Sequence, residues 1–185
     1  MALAKAFELV EGTSSRLKII EIMSDLYRSV IALTPDDLIK TVYLSLNKVA
    51  PAFEGVELGV GESLIISAIA DATGKTLASV KKAYQDAGDL GTVAQVRPST
   101  TNGYNTSHLN RLQACRKTQK TLFQPAPLTI RNVFAKLLRM AQMSGNSSQQ
   151  RKRGIIQSLI VGGRDQESVY LVRYIRSFIC NRRLD

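Results

Sequence analysis

Apolar residues along this chain recur at three- and four-residue steps almost from end to end. Between Ser15 and Ile31, Leu17, Ile20, Ile22, Met23, Leu26 and Val30 form one stripe, which is the period of an amphipathic helix. Thr34-Pro35-Asp36-Asp37 then reads as a helix start. Thr34 can accept from backbone N–H groups, Pro35 suits the first helical position, and the two acids favour the positive helix end. Leu38, Ile39, Val42, Tyr43 and Leu46 follow on that helix. Pro51 and Gly55 break the pattern, and Gly59-Val60-Gly61-Glu62 opens a more apolar helix through Leu64, Ile65, Ile66, Ile69 and Ala70, ended by Gly74. Thr76 starts a short helix bearing Leu77, Val80 and Ala83, with Gly88 or Gly91 punctuating what comes next. Thr129 caps a helix with Val133, Phe134, Leu137, Leu138 and Met140 on one face. Ser144-Gly145-Asn146-Ser147-Ser148 is a sharp break before a helix carrying Ile155, Ile156, Leu159 and Ile160, and Asp165 caps a last helix with Val169, Tyr170, Val172 and Ile175. Short helices with tight breaks predict a compact all-α fold rather than a coiled coil.

Residues 97–121 depart from this pattern: they are rich in Ser, Thr, Asn and Gly, uncharged at first and then basic. That composition predicts a mobile surface loop. A loop of such length is uncommon in a compact domain and tends to be functional or disordered. The N-terminal run MALAKAFELVEGTSS is amphipathic, with Lys5, Glu8 and Glu11 interrupting its apolar residues. It lacks the apolar core and cleavage site of a signal peptide. No window is long and apolar enough for a membrane span. The expectation is a soluble, intracellular chain that contacts no membrane.

The length of 185 residues fits one domain, and 44% hydrophobic residues allow a real core. The charge changes the picture more. Residues 1–100 carry 10 Lys+Arg against 12 Asp+Glu, whereas residues 101–185 carry 15 against 3. The whole chain's net charge of +10 thus comes from its second half, and such an asymmetry makes a directional field that attracts polyanions. Each phosphate neutralised by Lys or Arg releases a counterion, which makes nucleic acid and anionic membrane the partner classes that charge alone suggests. Aromatic content of 6% with no Trp argues against a stacking platform for single strands.

The break at Ser144, Gly145, Asn146, Ser147 and Ser148, followed by Arg151, Lys152 and Arg153, is the leading candidate site. Small residues let a phosphate approach the backbone, and free N–H groups and hydroxyls at a helix start donate to it. Three cations beside the positive end of a helix are unfavourable by themselves, and a bound phosphate relieves the conflict. An ordinary N-cap with a solvated basic run fits the same residues. Thr13-Ser14-Ser15-Arg16 with Lys18 repeats the grammar at the first long helix. Two such starts suit a duplex held across its minor groove by backbone contacts.

Catalytic chemistry is poorly provided. Gly59-Val60-Gly61-Glu62 lacks the Gly-Lys-Ser/Thr ending of a P-loop and reads as a turn before a helix. Asp36-Asp37 reads as helix-start charge. The single His108 lies in the polar stretch, and Cys115 and Cys180 have no metal-ligand spacing. Cys115 beside Arg116 and Lys117 reads as an incidental thiol in a reducing compartment.

The runs RSVIALTPDDLIKTVYLSLNKVAPAFEGVELGVGESLIISAIADATGKTLASVKKAY and PAPLTIRNVFAKLLRMAQMSG resemble the N-terminal DNA-binding domain of eukaryotic ATP-dependent DNA ligases, of the DNA ligase I type. YLSLN, ELGVGES, ATGKTL and the PLT…VF…K segment carry the resemblance, which spans about Phe7 to about Ile175. It implies an all-helical domain occupying residues 1–185, incomplete at its C-terminus, that grips nicked or duplex DNA in the minor groove without reading sequence. In the family this domain works with a nucleotidyltransferase core and an OB-fold in replication, repair and recombination, in the nucleus. The family's two backbone-contacting helix starts match Ser15 and Arg16, and Ser144, Gly145, Asn146 and Ser147 with Arg151 and Lys152.

The adenylation motif Lys-x-Asp-Gly is absent, so this chain is expected to be non-catalytic alone. The ATP and Mg of the full enzyme then have no site here, and the ligase catalytic core becomes a candidate partner. Residues 98–115 look like an insertion. Ser177 to Asp185 replaces the family's basic Gly-Arg/Lys-Leu-Arg-x-Gly turn, which leaves a third grip in doubt and points to a truncation. A helical interaction module that binds RNA or an acidic protein remains the alternative.

Overall fold

The computed structural model describes residues 2–95, 127–145, 147–164 and 166–181. The expected loop at 97–121, Asn146 and the Asp165 cap lie outside the described residues. The elements are α1 (Ala2–Glu11), α2 (Arg16–Leu33), a 3-10 turn (Pro35–Asp37), α3 (Leu38–Ser45), a 3-10 turn (Ala52–Glu54), α4 (Glu62–Thr73), α5 (Leu77–Ala87), α6 (Leu90–Ala94), α7 (Ile130–Gln142), α8 (Ser148–Gly162) and α9 (Gln166–Asn181). The fold is all-α, and no strand occurs among the described residues. None of the described helices is long and apolar enough to cross a membrane.

The punctuation follows local chemistry. Thr76 accepts from the Ser79 N–H at 3.3 Å and opens α5, and Thr129 accepts from the Asn132 N–H at 3.2 Å and opens α7. Both satisfy amides that a helix start leaves without partners. Gly74 and Gly88 close α4 and α5 in the left-handed region, at φ of 68° and 71°. Thr34 occupies the N-cap position but its hydroxyl caps nothing, while its backbone N–H donates to the Val30 carbonyl at 2.8 Å and closes α2. Pro35 leads a 3-10 turn, and the Asp37 carboxylate accepts from Lys40 at 3.0 Å and from Arg131 of α7 at 3.1 Å.

The core centres on α4 and α8, which pack along each other. Ile65, Ala68, Ile69 and Ala72 of α4 share one buried cluster with Ile156, Leu159 and Ile160 of α8, Leu137 and Met140 of α7, and Val172 and Ile175 of α9. Each fully buried Leu or Ile contributes roughly 1.5–3 kcal/mol of transfer free energy. The α2 stripe is buried less than its period implied. Leu26 and Val30 are buried, but Leu17 is 79% and Ile20 51% exposed. The reason is partnership, since among the described residues α2 packs chiefly on α1, α3 and the turn between α2 and α3.

The helix α6 is a five-residue element that periodicity did not reveal. Asp89 caps it, accepting from the N–H groups of Gly91 at 3.0 Å and Thr92 at 3.2 Å. A Cβ on Gly91 would lie 2.8 Å from the Val169 carbonyl oxygen of α9, so the close crossing of α6 and α9 requires glycine. Arg173 of α9 ties three elements together. Its Nε donates to Asp89 at 2.9 Å and its guanidinium reaches both Glu11 oxygens of α1 at 3.0 and 2.9 Å. Tyr170 adds an O–H bond to Glu11 at 2.7 Å.

Two outcomes test this packing. Gly91→Ala is expected to cost about 1–3 kcal/mol in urea unfolding, because the crowding atom is backbone and cannot rotate away. The second concerns pH. The Tyr170 hydroxyl, and after it Arg173, hold the Glu11 carboxyl below its ordinary 4.5. Burial opposes ionisation of Asp89, yet the bonds from Arg173, Gly91 and Thr92 together bring it below 3.8. A carboxylate with a depressed folded value stabilises above its unfolded value and loses that contribution as pH falls toward the folded one. Thermal stability should therefore drop as pH falls below the ordinary carboxylate range, and Glu11→Gln should drop less steeply.

Candidate functional site

A helix exposes unpaired N–H groups and a positive dipole end at its start. In this fold most starts are compensated. Glu62 sits in the first turn of α4, Asp36 and Asp37 precede α3, Glu167 sits in the first turn of α9, and side chains cap α5, α6 and α7. The start of α1 adjoins a residue outside the described set. The starts of α2 and α8 have neither an acid in the first turn nor a side-chain cap.

Ser15 is the N-cap of α2, with extended backbone at φ −75° and ψ 114° and a hydroxyl that caps nothing. Its own N–H donates to the Thr13 hydroxyl at 3.3 Å. Arg16 and Lys18 follow, both exposed, and neither pairs with an acid among the described residues. Two hydroxyls, a run of free amides and two free cations thus share one exposed turn.

At the start of α8, Gly145 has φ of 92° and open space where a Cβ would stand. Only glycine adopts that backbone readily. The turn returns the Gly145 carbonyl to the Ser148 N–H at 3.0 Å. Ser144, Gly145 and Ser147 are exposed. The Arg151 guanidinium donates back to the Ser147 hydroxyl, which places one exposed cation beside the helix start.

Two residues expected at this site are turned inward. Ser148 is 6% exposed and begins the buried side of α8. Lys152 is 4% exposed, and its ammonium donates to the Leu58 carbonyl at 2.7 Å and the Gly59 carbonyl at 3.4 Å. Burial pushes that ammonium below its ordinary value. The helical period gives the reason: Lys152 lies four residues before buried Ile156 and so faces α4. Lys152 is therefore corrected from an exposed grip residue to an internal one. Arg153 also leaves the basic run, because its guanidinium pairs with Asp71 of α4, the second contact at 2.7 Å.

The two starts belong to helices with different main packing partners. The helix α2 packs on α1 and α3, whereas α8 packs on α4, α7 and α9. The part that sequence reasoning missed is that the turn at Leu58 and Gly59 receives the Lys152 ammonium. Its only signal was Gly59 itself, which takes φ of 56° and lies against Lys152. No group of three or more His, Cys, Asp or Glu among the described residues is placed to hold a metal ion.

The family model described as DNA ligase N terminus matches residues 1–177. Curated relatives include DNA ligase 1 of Schizosaccharomyces pombe, 42% identical over 171 residues, or 92% of this chain and 20% of that protein. DNA ligase 1 of Arabidopsis thaliana is 41% identical over 174 residues, 94% of this chain and 20% of its own length. DNA ligase 1 of Dictyostelium discoideum is 39% identical over 176 residues, 95% and 13%. The chain thus spans a fifth or less of the length of these relatives.

Glycine substitutions in and beside the break separate backbone strain from space. Gly145→Ala should destabilise by about 1 kcal/mol, because its left-handed backbone strains any Cβ. Gly154, inside α8 with nothing near a Cβ, should gain up to about 1 kcal/mol as Gly154→Ala. Urea midpoints of the two variants should move in opposite directions.

Proposed function

We propose that this chain, which belongs to the DNA ligase N-terminus family, holds duplex DNA by its phosphates at two helix starts. The first is Ser15, Arg16 and Lys18. The second is Ser144, Gly145 and Ser147 with Arg151, and Asn146 joins it by sequence position. The observation that carries the reading is the contrast among helix starts. Among the described starts of α2 to α9, those of α2 and α8 alone lack both an acid and a cap, and both add exposed cations. Such a turn is unfavourable when empty and favourable with an anion bound.

Two separate grips match the repeating phosphates of a duplex better than a single small anion. Amide, hydroxyl and guanidinium donors to phosphate hold position without reading bases, so binding is independent of sequence. The minor-groove side of nicked DNA is the surface this reading assigns, with joining in nuclear replication, repair and recombination as its setting. The chemistry of joining would belong to a catalytic core outside this chain.

The experiment is the affinity of the purified chain for nicked and intact duplexes across a series of salt concentrations. Binding should weaken linearly on logarithmic axes. Arg16→Ala and Arg151→Ala should each weaken it and make the slope shallower by ~0.9 for every phosphate no longer neutralised. Binding indifferent to salt refutes the reading. Structured RNA bound as tightly as nicked duplex would favour a general RNA-binding module instead.

A further inference from the structure

Lys152 is the buried charge that a phosphate grip leaves unused. Its ammonium donates to two backbone carbonyls, Leu58 and Gly59, rather than to a carboxylate. Gln149, one turn earlier on α8, brings its side-chain amide to the same Gly59 carbonyl at 3.5 Å. Gly59 is shaped for this contact. It takes the left-handed backbone, and a Cβ there would sit 2.8 Å from the Lys152 nitrogen. Burying an ammonium is costly unless its donors are satisfied. A neutral apolar side chain would fill the same place without that cost but would leave the buried Leu58 carbonyl without this donor, so the charge has a use other than filling space.

That use lies in what the contact joins. Leu58 and Gly59 belong to the turn that enters α4 at Glu62, and Lys152 lies one turn inside α8, just behind Ser147, Ser148 and Arg151. Arg153 on the adjoining face holds Asp71 near the far end of α4. The two contacts fasten α8 to α4 at two heights and fix its start in translation and rotation.

We propose that Lys152 is a positioning residue, an internal staple between the Gly59 turn and α8 that orients the Ser147–Arg151 helix start for phosphate without touching phosphate itself. This rests on the duplex-binding reading above, and it gives Lys152 a role opposite to that of its neighbour Arg151. A phosphate-binding cation and a staple differ in what their removal does to salt dependence. Removing a cation that neutralises a phosphate lowers the logarithmic salt slope by ~0.9, whereas removing a staple weakens binding at constant slope.

The test compares Lys152→Met, which keeps the stem and removes the ammonium, with Arg151→Ala in salt-dependent duplex binding. Lys152→Met is expected to bind about tenfold more weakly, as removal of a charge-assisted bond implies. Its slope should be unchanged, and amide exchange should be faster at residues 58–61 and 147–149. A slope lowered as in Arg151→Ala, or affinity and exchange both unchanged, overturns the proposal. A measurement on the unaltered chain covers the case in which the variant does not fold. The Lys152 ammonium resonance should be protected from solvent and unmoved on adding duplex. A shift of that resonance on adding DNA, or an unprotected ammonium, also overturns it. Failure of the unaltered chain to bind any duplex refutes the functional reading, while the exchange comparison still decides whether the staple exists.

Discussion

The contact of α4 with α8 is the constraint on which the rest of the molecule depends. Ala68 and Ala72, interleaved with Ile65 and Ile69 among the buried residues of α4, make it narrow, and a narrow helix lets its neighbours approach closely. The interior is then filled by Ile156, Leu159 and Ile160 from one side and Val172 and Ile175 from another. Because α4 is buried on most of its surface, displacing α8 would open space that nothing else can fill. The position of the α8 start is therefore a consequence of core packing as much as of the loop that leads into it.

Electrostatics is arranged around that core by subtraction. The second half of the chain is strongly basic, yet several of its cations are neutralised internally: Arg131 by Asp37, Arg153 by Asp71, and Arg173 by Glu11 and Asp89. These pairs join elements far apart in sequence, and their carboxylates are held below the ordinary range by the bonds they accept. Glu11, Asp37, Asp71 and Asp89 of the first half are thus used in tying the fold. Arg16, Lys18 and Arg151 remain exposed at helix starts, where the backbone adds to their field rather than opposing it.

The helices and their punctuation were legible because their causes are local. Thr76, Thr129, Gly74 and Gly88 act on amides or carbonyls within a few residues, and the structure uses each as expected. Thr34 holds the expected position without a side-chain cap bond and also closes the preceding helix, and α6 escaped notice because five residues carry too little periodicity. Of the candidate site, the two helix starts were legible as runs of small hydroxyl residues before cations. Which cations face outward was not.

The sequence by itself determined the all-α class, the positions of most helix ends, the asymmetric charge and the two hydroxyl-rich helix starts, since each depends on residues within one turn of one another; that neither start is capped by a side chain came from the structure. Tertiary structure alone decided that Arg151 is exposed while Lys152, its immediate neighbour, is buried against Leu58 and Gly59. It also decided that Arg153 belongs to Asp71, and that Leu17 and Ile20 have no helix to cover them among the described residues. The physical reason is that exposure is set by the partner a helix face meets. That partner lies some ninety residues away in sequence for Lys152, and for the outer face of α2 it is absent among the described residues.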